Sequence, residues 1–294
     1  MYPRPFEYLR AHSVPEAVQA LQAAEGEARP LAGGQSLVPM MSLGLAAPDL
    51  LVDIGHLDLA GIERVDGHVR VGGMTCHREL ELGAACASAL PLAAVAARHI
   101  GNPRVRNRGT LAGSLAHADP AAELGAVALS YGGSALISGP RGERTVPLEK
   151  FFVGLFETAL EHGELLTAVE LEAPPPGTGH GFHEVSCRAD DFASAAAAAL
   201  VTMAGDGPTC ARVRLAVAGA AETPVRLPEV EALMVGEAPS ESLLEAAGQL
   251  VHASVRPEDD ALTSSAYRRR CASVCATRAL RWACSRALGG SDAA

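Results

Sequence analysis

The run Pro174-Pro175-Pro176-Gly177 is the feature that most limits how this chain can fold. Proline lacks an amide donor and restricts the residue before it, so three in succession suit neither a helix interior nor a central strand. The run therefore predicts a linker. With a further boundary near residue 57, the 294 residues divide into an α/β unit at 1–57, a second at 58–175 and a third at 176–294.

Local patterns place both helices and strands along the chain. Ser13 and Glu16 have the spacing of a capping box, which predicts a helix to about residue 25. Residues 62–71 alternate apolar and polar positions and predict a hairpin. Residues 264–288 predict a terminal helix with Tyr267, Cys271, Val274, Cys275 and Trp282 on one stripe. The alanine-rich stretch 192–203 fits a buried strand or a buried helix equally well. The expected fold class is α+β.

Charge and hydropathy exclude two classes of partner. The chain has 24 Lys and Arg against 34 Asp and Glu, for a formal charge of −10, which disfavours nucleic acid. Its longest apolar stretch, residues 192–205, is shorter than the roughly 20 residues of a membrane span, so no membrane insertion is expected. The N-terminus has no signal-peptide core, and seven cysteines include no CxxC pair, which together favour the cytoplasm.

Two glycine-containing loops are the strongest candidates for a binding site. The first follows a short strand predicted at 29–32. Backbone without side chains lets successive amides approach a phosphate, and a serine at the end can donate or cap a helix. A tight turn with no ligand is the alternative interpretation. This first loop consists of Leu31, Ala32, Gly33, Gly34, Gln35, Ser36 and Leu37.

The second loop again combines a glycine with polar residues, and its two uncharged hydroxyl donors are Thr110 and Ser114. They would suit a diphosphate held between two loops, but a capped helix start explains the same residues. Upstream, Arg104, Arg106 and Arg108 alternate, so in an extended segment they would share one face, either solvated or steering an anion. The second loop consists of Thr110, Leu111, Ala112, Gly113 and Ser114.

The segment after the second loop adds two acids. Pro120 predicts a helix start with Asp119 at or near the N-cap. Glu123, one turn later, is placed to accept hydrogen bonds from ribose or ribityl hydroxyls, with a solvated first-turn acid as the alternative. Cys76 and His77 have no second pair at metal-ligand spacing, which favours packing or surface roles. No metal ligand or catalytic constellation is expected, and hydrolase and nucleotide-triphosphatase motifs are missing.

Several stretches taken together resemble one known family. They are AGGQSLVPMMSLGLAAPDLLVDI at 32–54, GMTCHREL at 73–80, IGNPRVRNRGTLAGSLAHADPAAEL at 100–124 and SAYRRRCASVCATRAL at 265–280. In this order they resemble the FAD-binding medium subunit of the molybdenum hydroxylases. That family includes aerobic carbon monoxide dehydrogenase and xanthine dehydrogenase, and the resemblance extends over nearly the whole chain.

The resemblance implies a fold and a set of cofactor contacts. The fold is the vanillyl-alcohol-oxidase type, in which two α/β subdomains bind FAD and a C-terminal α/β domain follows. Both loops would hold the FAD diphosphate, and three further positions match an apolar contact, an acidic contact and a backbone contact. Asp119, just before the predicted helix start, is added to these three. The implied contacts outside the loops are therefore Ile100, Asp119, Glu123 and Leu166.

The resemblance also implies partners. A small subunit with two [2Fe-2S] clusters and a molybdopterin-binding large subunit would complete a heterotrimer, present as a dimer of heterotrimers. Electrons would pass from the clusters through FAD to an external acceptor. Two positions depart from the family pattern: Ala112 replaces a glycine, and neither His183 nor Glu184 supplies the cation often found near the flavin.

Two other functions remain open at this point. One is a self-sufficient FAD-dependent oxidoreductase of the same fold, which would need a substrate base and pocket of its own. The other is a scaffold with a degenerate flavin site, for which the two departures are the only support. Binding of FAD by the purified chain separates the scaffold from the others, and dependence on partners separates the two enzymes.

Overall fold

The first part of the protein is a small parallel sheet with two helices. The computed structural model describes residues 3–188, 190–205, 207–261 and 263–290. Ser13 caps the first helix by accepting a bond from the Glu16 amide at 3.3 Å. The Glu16 carboxylate accepts from the His12 amide at 2.7 Å and not from Ser13, so the predicted capping box forms only in its first half. The strands pair in the order β1-β3-β2. The elements are β1 (Glu7–Arg10), α1 (Val14–Ala23), β2 (Ala28–Leu31), α2 (Leu37–Leu43) and β3 (Leu50–Asp53).

The second part contains six helices, a 3-10 turn at Leu148–Lys150 and seven strands, counted within the described ranges. The helices are α3 (His77–Leu82), α4 (Ala84–Ala89), α5 (Pro91–Ala97), α6 (Pro103–Arg106), α7 (Leu111–His117) and α8 (Glu123–Tyr131). The strands are β4 (Ile62–Val65), β5 (His68–Gly72), β6 (Gly133–Gly139), β7 (Gly142–Pro147), β8 (Phe152–Gly154), β9 (Glu157–Thr158) and β10 (Leu165–Glu172).

Five of these strands form an antiparallel sheet in the order β4-β5-β10-β6-β7. The predicted hairpin is present as β4 and β5, joined at Asp66 and Gly67. Both turn residues have positive φ, at 46° and 80°, as the two-residue turn that matches strand twist requires. The remaining pair, β8 and β9, forms a separate short hairpin.

The third part is a four-stranded antiparallel sheet with three helices. Residues 173–178, which include the proline run, form no helix or strand. The sheet order is β11-β12-β13-β14. The elements are β11 (Gly179–Ser186), β12 (Ala193–Met203), β13 (Cys210–Ala218), β14 (Val225–Arg226), α9 (Pro228–Met234), α10 (Glu241–Ser254) and α11 (Ser265–Ala287).

The alanine-rich stretch is the central strand β12, whose first nine residues are buried. Alternate side chains point to opposite sides. Ala196 and Ala198 join the core that contains α8, whereas Ala195 and Ala197 join the core that contains α11. A strand covered on both faces carries no polar alternation. For this reason the sequence pattern fits a buried strand and a buried helix equally well.

The terminal helix α11 lies directly on β11. A side chain at Gly179 or Gly181 would overlap the backbone carbonyls of Ala283 and Ala279, so both positions need glycine. Cys271 and Cys275 are buried on the predicted stripe. The same stripe was also expected to include Tyr267 and Val274, which is wrong, because these side chains are 49% and 44% exposed.

Helix α8 belongs to a core shared by the second and third parts. All nine of its residues are buried, and the Ser130 hydroxyl donates to the carbonyl of Ala198 at 2.8 Å. One buried cluster contains Tyr131 from before the proline run and Phe182 from after it. The division at 57 and 175 into three domains stays a prediction. Among the described helices, none is long and apolar enough to cross a membrane.

Candidate functional site

A cavity of about 570 Å³ opens between the first and second parts of the chain. Its walls come from the loop after β2, the segment from the end of α5 to α7, the turn before α8 and the start of β10. Fourteen of the sixteen predicted contact residues line it: Ala32, Gly33, Gly34, Gln35, Ser36, Leu37, Ile100, Thr110, Ala112, Gly113, Ser114, Asp119, Glu123 and Leu166.

The other two predicted residues do not line the cavity. Leu31 ends β2, and its carbonyl accepts a bond from the Ile54 amide at 3.1 Å. Leu111 is 4% exposed and packs in the core of the second part. Both leucines therefore hold the loops in place from behind.

The first loop lines the cavity and contains a run of unpaired amides. Within the described residues, the backbone N–H groups of 33–37 have no hydrogen-bond partner, because the helical pattern begins only with the Val38 amide donating to Gly34 O at 3.1 Å. The Gln35 side chain folds back onto the Gly33 carbonyl at 3.1 Å. Ser36 makes no side-chain cap. Successive free amides of this kind form an anion-binding concavity.

Gly33 lies against the backbone of the second part. A Cβ atom there would overlap the Arg108 carbonyl oxygen and would lie 2.6 Å from its carbon and 2.9 Å from Gly109 Cα. Gly109 in turn packs against His77, since a Cβ at 109 would lie 2.7 Å from the imidazole Cδ2. The first loop is thus packed on the backbone that leads into the second loop, through a contact that only glycine permits.

The second loop does not repeat the free amides of the first. Of its two interpretations, the capped helix start is present, and its contact with a diphosphate stays a prediction. The amides of Leu111 and Ala112 donate to the carbonyls of Thr75 and Gly73, at 3.0 and 3.2 Å. The Gly113 amide donates to Thr110 Oγ1 at 3.1 Å, as expected for a capped helix start. This loop contributes to the cavity the hydroxyl groups of Thr110 and Ser114 and the side-chain-free backbone of Gly113.

The acids before α8 are placed differently from the prediction. The helix begins at Glu123 with Ala122 as N-cap, so the expected N-cap role of Asp119 is wrong. Asp119 instead accepts a bond from the Ala121 amide at 2.9 Å and shapes the turn. Pro120 belongs to this turn, which the Ala122 amide closes by donating to the Asp119 carbonyl at 3.0 Å, and the helix begins only after it.

Glu123 is 5% exposed at the cavity wall. Burial raises its pKa to about 7, and the negative charges of Glu184 and Asp119 act in the same direction, while His99 opposes them. A carboxyl group with this pKa is partly protonated near neutral pH. It can then donate as well as accept a hydrogen bond.

His77 is a cavity residue that the sequence did not single out for this role. It is 4% exposed, and burial lowers the pKa of its imidazole to about 4, with the charge of Arg106 adding to the effect. The ring is therefore neutral at physiological pH. Of the two roles considered from sequence, packing is the one found, at the first position of α3 beneath the paired loops.

The arginine segment is a helical turn and not the expected extended face. Asn102 Oδ1 caps it by accepting from the Arg104 amide at 3.0 Å, with a proline at the first helical position. Arg106 is 8% exposed, and its Nη1 donates to the carbonyls of Ile100 and Gly101 at 2.9 Å each. It thus fixes the backbone of the apolar cavity wall.

The rim of the cavity carries exposed apolar side chains that no sequence pattern predicts. Leu45, Phe156 and Phe192 are 71%, 52% and 63% exposed. Phe156 has a φ of 57° in the turn between β8 and β9, and its ring centroid lies 5.2 Å from that of His117. These residues come from three separate segments and meet only in the folded chain.

The cavity residues fit FAD, the cofactor that the sequence resemblance implies. The free amides of 33–37 suit the diphosphate, Ile100 and Leu166 provide apolar wall, and Glu123 suits hydroxyl or amide partners. The departure at Ala112 does not spoil this fit. Its side chain is 6% exposed and lies 3.1 Å from where a Cβ of Gly73 would be, so the methyl packs on backbone.

Two family models match the chain in succession. The model of the FAD binding domain in molybdopterin dehydrogenase matches residues 4–174. The model of the CO dehydrogenase flavoprotein C-terminal domain matches residues 180–283. Together they confirm the expected α+β fold with an FAD-binding part and a C-terminal part, and they show that the cofactor is FAD.

Relatives and solved structures agree over the full length. The chain is 35% identical to the carbon monoxide dehydrogenase medium chain of Afipia carboxidovorans, covering 98% of this chain and 99% of that one. It is 29% identical to the xanthine dehydrogenase FAD-binding subunit of Escherichia coli, over 89% and 90%.

A chain of carbon monoxide dehydrogenase from Hydrogenophaga pseudoflava, in a structure lacking the Mo-pyranopterin moiety of the molybdenum cofactor, superposes with a TM-score of 0.94. The sequence identity is 35%, and the match covers 97% of this chain and 99% of that one. The agreement of sequence, fold and cavity leads to one conclusion. The chain belongs to the family of FAD-binding medium subunits of the molybdenum hydroxylases.

Proposed function

We propose that this chain is the FAD-binding electron-transfer subunit of a heterotrimer, assembled as a dimer of heterotrimers. Its partners are a small subunit with two [2Fe-2S] clusters and a large subunit that binds molybdopterin. Support comes from relatives named medium chain or complex subunit at 35% and 36% identity over nearly the whole chain. The observation that carries the proposal is the cavity itself, with its row of free amides at 33–37.

FAD, when bound, supplies a centre that exchanges electrons singly or in pairs. The residues of this chain bind and shield it. The amides of 33–37 hold the diphosphate, the hydroxyls of Ser36 and Ser114 add donors, and Ile100 and Leu166 exclude water from the apolar wall. Glu123 holds or moves a proton at its carboxyl group. We infer that the sixteen predicted residues contact FAD directly, except Leu31 and Leu111, which support the loops.

We also propose a cytoplasmic location. All seven cysteines are free thiols, and five of them are buried. Thiols persist in a reducing compartment, whereas secreted chains of comparable cysteine content form disulfides.

The test is an anaerobic reconstitution. FAD is expected to bind noncovalently, so precipitation with trichloroacetic acid should leave the yellow colour in the supernatant. The FAD-loaded chain is then mixed with candidate organic substrates while the flavin absorbance is followed, and the purified small and large subunits are added afterwards. We expect bleaching only after both partners are present. As a control, the FAD-loaded chain alone with chemical reductant shows that the flavin is reducible.

Rapid bleaching by an organic substrate before any partner is added would contradict the subunit function and favour a self-sufficient flavoenzyme. A purified chain that binds no FAD would favour the scaffold. A yellow precipitate would contradict noncovalent binding only.

A further inference from the structure

The turn that leads into α8 is bonded to the third part of the chain. The Gly219 amide donates to the Pro120 carbonyl at 2.6 Å. Pro120 lies in the turn that Asp119 shapes, and α8 follows this turn with no side-chain cap at Ala122. A helix start without a side-chain cap is fixed less firmly by its own residues. The position of Glu123, the first residue of α8, therefore depends on what holds the turn.

The backbone bends sharply at Gly219, directly after β13. Its φ is 69°, in the left-handed region that favours glycine. A Cβ atom at this position would lie 2.9 Å from the carbonyl oxygen of Ser194. Ser194 is the second residue of β12 and comes two positions after the rim residue Phe192. The bend is thus packed on a strand that starts at the cavity rim.

Arg268, the fourth residue of α11, binds this bend through its guanidinium group. Its Nη1 donates to the Gly219 carbonyl at 3.0 Å and to the Ser194 carbonyl at 3.4 Å. Its Nη2 pairs with the Asp260 carboxylate. The Arg268 side chain is 17% exposed. A charged donor makes stronger hydrogen bonds than a neutral one, so the guanidinium group holds both carbonyls in place.

We propose that Arg268 is a positioning residue for the FAD site. It holds the backbone at Gly219, the Gly219 amide holds the turn at Pro120, and the turn sets Glu123 on the cavity wall. Each step is a hydrogen bond or a stretch of adjacent residues. Through this series the terminal helix contributes to cofactor binding from outside the cavity. The inference rests on the proposed contact of Glu123 with FAD.

The first experiment measures FAD affinity by fluorescence quenching with the flavin-free full chain. Arg268→Gln should weaken FAD binding about tenfold, which corresponds to the loss of one hydrogen bond. Arg281→Gln is the matched control on the same helix, because the Arg281 Nε donates to Glu241 at 3.0 Å and neither residue lines the cavity. It should leave the affinity unchanged. An affinity of Arg268→Gln within about threefold of that of the unmodified chain overturns the proposal.

The second experiment asks whether the loss passes through Glu123. Arg268→Gln is combined with Glu123→Ala, which removes the side chain that the turn positions. In the Glu123→Ala background, Arg268→Gln should weaken FAD binding by less than about threefold, since the contact on which it acts is already gone. A larger loss in this background would mean that Arg268 affects FAD binding by another route, and would overturn the proposal.

The conservative variant Arg268→Lys tests the part played by the charged donor. Lysine keeps a cation that can donate to one of the two carbonyls but lacks the planar fork that reaches both. FAD should therefore bind Arg268→Lys more tightly than Arg268→Gln and less tightly than the unmodified chain. Equal affinities of the lysine and glutamine variants would contradict the proposal.

Melting temperatures check that each variant folds. If Arg268→Gln does not fold, Gly219→Ala takes its place in the first two experiments, since a Cβ there would displace the same backbone from Ser194. No partner subunit is used. A chain that shows the predicted affinities but accepts no electrons in the reconstitution would overturn the proposed function and leave the role of Arg268 standing.

Discussion

Substitution of Gly33 by alanine is the sharpest perturbation that the cavity allows. A Cβ at this position would lie 2.6 Å from the Arg108 carbonyl carbon, and carbon atoms in contact are separated by about 3.5 to 4.0 Å. The two loops must therefore move apart by about 1 Å. An amide hydrogen bond of about 2.9 Å stretched by that amount is no longer a hydrogen bond.

The loss in FAD binding follows from this displacement. Two amide bonds to a charged diphosphate, at about 1.5 kcal/mol each, amount to about 3 kcal/mol. This weakens FAD binding by about 150-fold, since about 1.4 kcal/mol is a factor of ten. The branched Gly33→Val should weaken it further.

The assay is quenching of FAD fluorescence on titration with flavin-free protein, with urea denaturation to monitor folding. Gly205→Ala is the matched control, because a Cβ there meets nothing within 4 Å. Gly113→Ala should have an intermediate effect, since its Cβ would lie 2.8 Å from the movable Thr110 hydroxyl. If Gly33→Ala binds FAD within about threefold of the unmodified chain, the contact between loops does not position the amides.

Three further changes have definite directions. In the flavin-free chain, the Glu123 pKa is raised from 4.5 to about 7, so stability falls as pH rises through this interval. Glu123→Gln should be the more stable protein at pH 9, by up to about 3 kcal/mol, and nearly equal at pH 4, by urea denaturation. The His77 pKa is lowered from 6.5 to about 4, so stability falls as pH drops through that interval, and His77→Gln should flatten this acid limb in the same assay. Ala112→Gly should leave FAD affinity unchanged or higher, while costing about 1 kcal/mol of stability, measured by fluorescence titration and urea denaturation.

Each of these has a result that would contradict it. Equal pH dependence of stability in Glu123→Gln and the unmodified chain would mean that Glu123 ionises normally. An acid limb unchanged in His77→Gln would mean that other groups cause acid unfolding. Weaker FAD binding in Ala112→Gly would show that the methyl contacts the cofactor.

Sequence reasoning worked where the cause is local. Ser13 caps the helix through the amide of Glu16, three residues along the chain, and Asp66-Gly67 forms its turn without contacts from distant segments. The first loop is of the same kind, because the free amides of 33–37 follow from a glycine pair after a strand. Such features depend on residues that the sequence shows side by side.

Sequence reasoning failed where contacts with distant segments of the chain determine the local structure. The second loop has the same residue types as the first, but its amides are taken by the carbonyls of Gly73 and Thr75, which sequence cannot place nearby. Arg106 is drawn inward by Glu81 and by the carbonyls of a preceding turn. The pairing of His99 with Glu184 likewise exists only after the third part has packed on the second. The contact of Phe156 with His117 joins two separate segments of the second part.

Helix α8 fixes the position of the C-terminal sheet relative to the cavity. Its first residue is on the cavity wall, and the rest of it is sealed between the two larger sheets. A swinging motion of the C-terminal sheet would expose nine buried residues at once, so this sheet and the cavity wall keep one fixed separation.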